Sequence, residues 1–457
     1  MRISYVTHFY PPDACGGAGH YTAALAEGFA GRGEHVSVLC AGDWETGRSH
    51  VNGIVDGARR GVMVRRINLN WRAAAKPFDQ LYDNPAIEEQ VVRYLREQQP
   101  EIVHVTSCYA LSARPIFIAR SMGLPVVVHL VDYWFICPRH TLLRKDGTIC
   151  NGSASAEECQ RCLLAGTKIE RVMRLLPGPS QDAFFRGIGR IPAVTRLPGV
   201  IGQLGDVSRR RAYALKALLA ANIIIAPSET LRRLYVANGV PAERITLVRY
   251  GHELGWANRV RRQPSAKLRL GFMGNIIREK GVHVLVEAAR RLQHHPDLEV
   301  HIFGNDEADP GYTRHLTEHL PSAVVWHGRY ERESLAEMLS NIDVLVAPSV
   351  WHENSPLVIQ EAFAAGCPAI VSDVGGMAEV VRDGVDGLHF RAGDAGDLAA
   401  RIEFLLADRD RVKELQRHVP DVKSIASELE EIGQLYLSLL NRKETATSFS
   451  LHSGISH

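Results

Sequence analysis

No run of about 20 apolar residues occurs in this sequence, so no stretch of it has the length that a helix crossing a bilayer needs. The opening MRISYVTHFYPPD is a short apolar strand running into a turn, too short for the hydrophobic region of a signal peptide. An excess of one charge is also missing. Lys and Arg total 53 against 51 Asp and Glu, a net charge of +2, which excludes a global field for nucleic acid or an anionic membrane. Any basic surface must be local, and no nucleic-acid-binding module is recognisable. The first strand-to-helix turn, PPDACGGAGH, lacks the G-x-G-x-x-G spacing, so a nicotinamide cofactor is not expected. There is no repeat of solenoid period. These absences point to a cytoplasmic, reducing setting. In that setting the eight cysteines read as thiols or metal ligands rather than disulfides.

What is present is ordinary globular material, 46% hydrophobic and 23% charged, in a chain of 457 residues that is too long for one core. Val- and Ile-rich runs alternate with segments of helical period, the pattern of parallel sheets covered by helices. A first series has strands at 3–6, 35–40, 102–105, 125–130 and 223–226, with a helix at 19–30. A second series restarts with a strand at 268–273, then a helix at 282–293 and strands at 299–303, 324–327 and 344–347. Between them ANRVRRQPSAK, near residues 257–266, reads as a linker. The echo of IIIAPSE (223–229) in VLVAPSV (344–350) supports two related halves. The expectation is α/β, with two Rossmann-like domains facing across a cleft. The domains are 1–258 and 265–420, a last helix at 421–441 packs back on the first domain, and 442–457 is a disordered tail.

The stretch HENSPLVIQEAFAAG carries Glu353 and Glu361 eight positions apart with a proline between. Strand 344–347 should end at the ligand-binding edge of its sheet. Ser355 is then a fit N-cap and Pro356 a fit first helical residue. The free N–H groups around Asn354, Ser355, Leu357 and Val358 suit phosphate, whereas a carboxylate suits sugar hydroxyls. A helix start flanked by two acids has the shape of a site for a sugar nucleotide.

ENSPLVIQEAFAAGCPAIVSDVGGMAEVV resembles the signature of the family-4 (GT4) retaining glycosyltransferases of the GT-B fold. The resemblance runs on through IIIAPSETLRRLYVANGVPAERITLVRYG, LGFMGNIIREKGVHVLVEAA and NIDVLVAPS, and covers most of residues 1–440. It implies that Glu361 holds the ribose hydroxyls and Glu353 those of the transferred sugar. It also implies that Lys280 pairs with the diphosphate, offsetting the charge that grows on the leaving group. The family often has Arg after the glycine turn at Gly274. Here that residue is Asn275, and Arg278 is the nearest candidate for a second cation. Gly16 and Gly17 correspond to the family's loop against the diphosphate and acceptor, Gly375, Gly376 and Glu379 to another family loop, and Gly328 and Tyr330 to the place of the base. In VVVHLVDYWFICPR the family's usual His before Asp132 is Val131, and His129 is the substitute candidate for contact with the donor sugar, sharing a strand face with Val131. The mechanism implied is front-face, with the leaving phosphate helping to deprotonate the acceptor.

Cys137, Cys150, Cys159 and Cys162 fall in one loop, 137–162, and suit a structural zinc, with free thiols, a disulfide or another metal as the alternatives; His140 is a spare ligand. Residues 163–211 interleave Arg with Phe, Leu and Ile. That mixture suits either an insertion packed on the first domain or contact with an anionic lipid surface at the inner membrane face. Asp408 and Asp410 fit a D-x-D metal pattern but sit where a helix begins. The expected function is transfer of a sugar from a nucleoside-diphosphate sugar to a glycan, polysaccharide or lipid-linked acceptor, with no catalytic cofactor. The rivals are a sugar-nucleotide epimerase and a non-catalytic, zinc-bearing binding scaffold.

Overall fold

The computed structural model describes residues 1–13, 16–44, 47–173, 175, 177, 180–181, 183–184, 187, 191 and 206–452. Most of the expected insert after Met173, and Cys15, lie outside these. The chain forms two compact units. One comprises Met1–Pro227, Arg232–Arg249 and Ile425–His457, the other Ser228–Leu231 and Tyr250–Ser424.

The first unit holds eight strands: β1 (Arg2–Val6), β2 (His35–Trp44), β3 (Val51–Arg59), β4 (Val62–Leu69), β5 (Ile102–Val105), β6 (Val126–His129), β7 (Ile223–Ala226) and β8 (Ile245–Leu247), in the order β3-β4-β2-β1-β5-β6-β7-β8. The central strands β5 and β6, IVHV and VVVH, are buried at every position, as continuous apolar runs in a covered parallel sheet must be. The sequence reading leaves the region between Cys40 and Ile102 without strands, yet β3 and β4 form an antiparallel hairpin there. Its turn is Arg60-Gly61, both at positive φ (45° and 81°), the geometry that two-residue hairpins prefer. β3 is mostly exposed, which is why its apolar signal is weak. Helix α1 (Gly17–Gly31) follows β1. Helix α2 (Ala156–Leu164) starts with a capping box between Ser155 and Glu158, and α3 (Val207–Ala220) is capped by Asp206.

The second unit holds β9 (Leu268–Met273), β10 (Leu298–Phe303), β11 (Val324–Gly328), β12 (Val344–Ala347), β13 (Ala369–Ser372) and β14 (Gly387–Phe390), in the order β11-β10-β9-β12-β13-β14, all parallel. Its helices include α4 (Val282–Arg291), α5 (Leu357–Ala364), α6 (Gly375–Val380) and α7 (Ala395–Leu406). Val284, Leu285 and Ala288 of α4 pack with Leu398 and Ile402 of α7 against β9 and β10. The strand order reverses between β9 and β12, so the crevice for a ligand opens where those two strands end.

The last helix, α8 (Ile425–His452), belongs to the first unit. Leu429 occupies the space left by Gly28 of α1, where an added Cβ would come within 2.5 Å of its Cδ1. Tyr436 packs on Phe29 with ring centroids 5.3 Å apart and shares a 3.1 Å hydrogen bond with the Tyr5 hydroxyl. The helix does not stop at residue 441, as the sequence reading has it, but continues to His452 through residues assigned to a disordered tail. No glycine or proline intervenes before Gly454 to break it.

Candidate active site

The ends of β9 and β12 bring together the residues that the sequence singles out. After β9 the chain turns at Gly274, exposes Asn275 and Arg278, and reaches Lys280. Gly281 then adopts φ 69°, and a Cβ there would lie 1.8 Å from the carbonyl oxygen of Pro348. Only glycine permits that approach. The Val350 N–H donates to the Glu279 carbonyl across 2.9 Å, so Lys280 is fastened to the loop that follows β12.

Glu353 is 7% exposed, and one of its oxygens accepts three hydrogen bonds: from Lys280 Nζ at 2.6 Å, Ser349 Oγ at 2.7 Å and Trp351 Nε1 at 3.0 Å. Burial pushes this carboxyl up, but the Lys280 charge and the three donors outweigh it and hold Glu353 below the usual carboxylate range. The loop rests on α6. The Gly376 N–H donates to the Glu353 carbonyl at 2.6 Å, and a Cβ on Gly376 would meet the Asn354 carbonyl oxygen at 1.8 Å. The glycine pair of DVGG thus supports the backbone that carries Glu353. Glu379, on the same helix, accepts the N–H groups of Glu229 and Thr230 at 3.0 and 2.7 Å. The Asn354 side chain pairs with Ser228 Oγ at 3.0 Å.

Helix α5 starts one residue later than expected. Pro356, not Ser355, occupies the N-cap, because its ψ of 116° takes it out of helical conformation. The first-turn N–H groups of Leu357 and Val358 face away from the helix body. Glu361, further along α5 and 4% exposed, accepts Arg332 Nη1 at 2.8 Å. Burial raises its pKa, with the Arg332 charge opposing. Tyr330, two residues beyond Gly328 at the end of β11, is pushed up to about 12 by burial and then by the Glu361 charge, which places it beside that carboxylate. Sequence reasoning missed Arg332, Ser349 and Trp351. Ser349 and Trp351 flank Glu353 at four and two residues' distance, a spacing that could have flagged them.

In the first unit, Gly16 is the N-cap of α1 and Gly17 its first residue, just beyond the end of β1, with no atom within 4 Å of where a Cβ would stand on either. His129 is the last residue of β6 and 1% exposed. The strand ends there, so the alternation that would put His129 and Val131 on one face does not extend to Val131. The His129 ring meets the Tyr21 hydroxyl at 3.3 Å and stacks on His104 with centroids 5.6 Å apart, and Tyr21 itself donates to buried Glu428 of α8. Asp132 lies just past the strand and accepts the Trp134 N–H at 2.8 Å. Burial pushes its carboxyl up to about 6, against that hydrogen bond and the Arg210 charge. The same sheet edge also carries His8 and Tyr109, which the sequence reading does not place in a site, and His140, which it offers as a spare metal ligand. Ring centroids are 6.0 Å apart for His8 and Tyr109, and 4.8 Å for Tyr109 and His140. Both imidazoles are lowered to about 4 by burial, hence neutral at pH 7. Cys137, Cys150, Cys159 and Cys162 are half-buried free thiols further along this chain segment. Asp408 accepts the Asp410 N–H at 3.0 Å at the start of the helix Asp410–Arg417.

Residues 258–420 match the family described as glycosyl transferases group 1, and residues 16–159 the glycosyl transferase 4-like domain. The chain belongs to the GT4-like glycosyltransferases. Among the relatives of this glycosyltransferase-family chain is the glycogen synthase of Mycobacterium tuberculosis, 31% identical over 167 residues, which are 36% of this chain and 40% of the relative. The alpha-maltose-1-phosphate synthase of Mycolicibacterium smegmatis is 34% identical over 158 residues, 32% of this chain and 40% of that protein. The chain thus matches less than half the length of these two relatives. The crystal structure of Anabaena HepE in complex with UDP and glucose superposes with a TM-score of 0.62 at 18% identity, over 96% of this chain and all of that one. The fold is GT-B.

Proposed function

We propose that this protein is a retaining glycosyltransferase that moves a sugar from a nucleoside-diphosphate sugar to the hydroxyl of a glycan or lipid-linked acceptor. The observation that carries the reading is the pair of buried carboxylates on either side of the α5 N-terminus, Glu353 fixed by Lys280, Ser349 and Trp351, and Glu361 beside Arg332 and Tyr330. The complex of Anabaena HepE with UDP and glucose supports a donor of this class. In this reading Glu361 binds the ribose hydroxyls and Glu353 the sugar hydroxyls, while the first-turn N–H groups of α5 and Lys280 face the diphosphate. As the bond from the anomeric carbon to the phosphate oxygen breaks, charge accumulates on the leaving diphosphate, and the Lys280 ammonium stabilises it. The acceptor oxygen bonds to that carbon on the same face, and its proton passes to the departing phosphate oxygen.

The test is thermal unfolding of the purified chain with UDP, GDP, ADP, TDP and CMP, beside Glu361→Ala. A ligand that binds only the folded state at a hundredfold excess over its Kd adds about 2.7 kcal/mol. A shift with one nucleotide that the variant loses identifies the base and locates it at Glu361. No shift with any of them counts against the reading. Donor consumption without acceptor would instead indicate an epimerase.

A further inference from the structure

The described cysteines fall into two groups. Cys40, Cys108 and Cys367 are fully buried among apolar neighbours, as packing residues are. Cys137, Cys150, Cys159 and Cys162 are only half-buried, and all come from one short, irregular stretch. Cys137 closes a turn in which its N–H donates to the Tyr133 carbonyl at 2.7 Å. Cys150 leaves a small hairpin, its N–H on the Leu142 carbonyl at 2.7 Å beside the Leu143–Ile149 bridge. Cys159 and Cys162 stand three positions apart on α2, so their side chains lie on one face. Cys137 and Cys150 are electrostatic neighbours of both Cys159 and Cys162.

A second observation is independent of the cysteines. Cations surround them. Arg211 Nη2 of α3 points at Cys159 Sγ from 3.3 Å, and Arg139 acts on Cys162. Arg210, 3% exposed, donates to the Trp134 carbonyl and reaches the Cys137 carbonyl at 3.5 Å. Lys145 Nζ sits on the Leu163 carbonyl at 2.7 Å, next to Cys162. The Arg211 and Arg139 charges oppose the burial that pushes the Cys159 thiol up to about 11 and the Cys162 thiol upward.

We propose that Cys137, Cys150, Cys159 and Cys162 together bind a structural zinc ion as four thiolates. Four sulfur ligands in a reducing setting favour tetrahedral zinc, and a full protein ligand set leaves no position for catalysis. Four thiolates on a dication leave two negative charges, which Arg211, Arg139 and Arg210 offset. No three of the four sulfurs lie within 4.8 Å of one another; among the described residues only the ligand atoms of His294, His295 and Glu403 do so. The four sulfurs would have to draw together around the ion. The ion would fasten the segment that runs from Asp132 to α2, whose one strand pairing is the Leu143–Ile149 bridge. This inference does not depend on the donor site.

The experiment is elemental analysis of the purified full-length chain, followed by titration of its thiols with a mercurial in the presence of a chromogenic zinc chelator. One zinc per chain, released as four thiols react, is expected. Cys159→Ser and Cys162→Ser should lose the zinc, and Cys367→Ala should keep it. Should the serine variants fail to fold, cobalt exchanged into the unmodified protein gives the answer, through a thiolate-to-cobalt band with tetrahedral d–d absorption. Folded protein with no zinc and four freely titrating thiols overturns the proposal, as does bound iron or a disulfide between any of the four.

Discussion

A single carboxylate oxygen accepting from an ammonium, a hydroxyl and an indole is a costly arrangement to assemble unless it stays ionised. Glu353 does so because Lys280 is held 2.6 Å away. Its folded pKa lies below the ordinary 4.5, so the pair contributes stability that is fully present above that value and fades as the pH falls through the lower folded pKa. Lys280→Met leaves the acid buried and uncompensated. The expected outcome is a loss of about 3 kcal/mol at pH 7 and a fall in kcat of about 10²–10³-fold. The slope of Tm against pH through the carboxylate range should also reverse sign, because the Glu353 pKa then rises. Asp132 is the opposite case. Its carboxyl is raised from 3.8 to about 6, so folding loses stability as pH climbs through that window and the charge must be buried. Asp132→Asn, which retains an acceptor for the Trp134 N–H, should therefore stabilise the fold at pH 7 by up to about 3 kcal/mol. It should change little at pH 4, and paired melting curves at the two values check both statements.

At the scale of elements, two glycines decide where the proposed donor site forms. Gly281 lets the segment carrying Lys280 touch the loop after β12, and Gly376 lets α6 touch the backbone of Glu353 and Asn354. Gly366, at the end of α5, has a similar positive φ of 65° but open space around it. The two kinds of site separate strain from contact. Gly366→Ala should cost about 1–2 kcal/mol, the price of left-handed backbone alone. Gly281→Ala should cost more and should also weaken nucleotide binding, because Lys280 moves with it. Equal losses in the two variants, with nucleotide-induced shifts unchanged, would show that the contact at Pro348 does not position the lysine. The elements around these glycines were largely legible, because β9 and β12 are apolar runs with sharp ends and REKG lies in the turn between β9 and α4. The hairpin β3–β4 was not, since β3 is a largely exposed edge strand with no apolar alternation to read.

At the scale of the whole molecule, the chain's last helix completes the first unit rather than the second. Glu428 and Tyr436 are completely buried there, one accepting from Tyr21 and the other bonded to Tyr5 and His104. Ending the chain after Ser424 should leave those partners unsatisfied and abolish cooperative unfolding of the first unit. Ending it after Asn441 should leave the melting transition in place, because the buried anchors are retained. Calorimetry of the two truncations distinguishes a helix that builds the core from one that only covers it.

By itself the sequence determined the alternation of strands and helices, the break between two α/β halves, and the pair Glu353 and Glu361 at a helix start, because periodicity, turn residues and spacing are local properties. It could not decide which groups partner them. Arg332 lies 29 positions from Glu361, and Lys280 lies 73 from Glu353. His129, which the sequence reading offered as a contact for the donor sugar, is enclosed by Tyr21, His104 and a helix that begins 296 residues later at Ile425. Burial and long-range pairing follow from how the elements pack, and a run of residues carries no record of that until the sheet order is known.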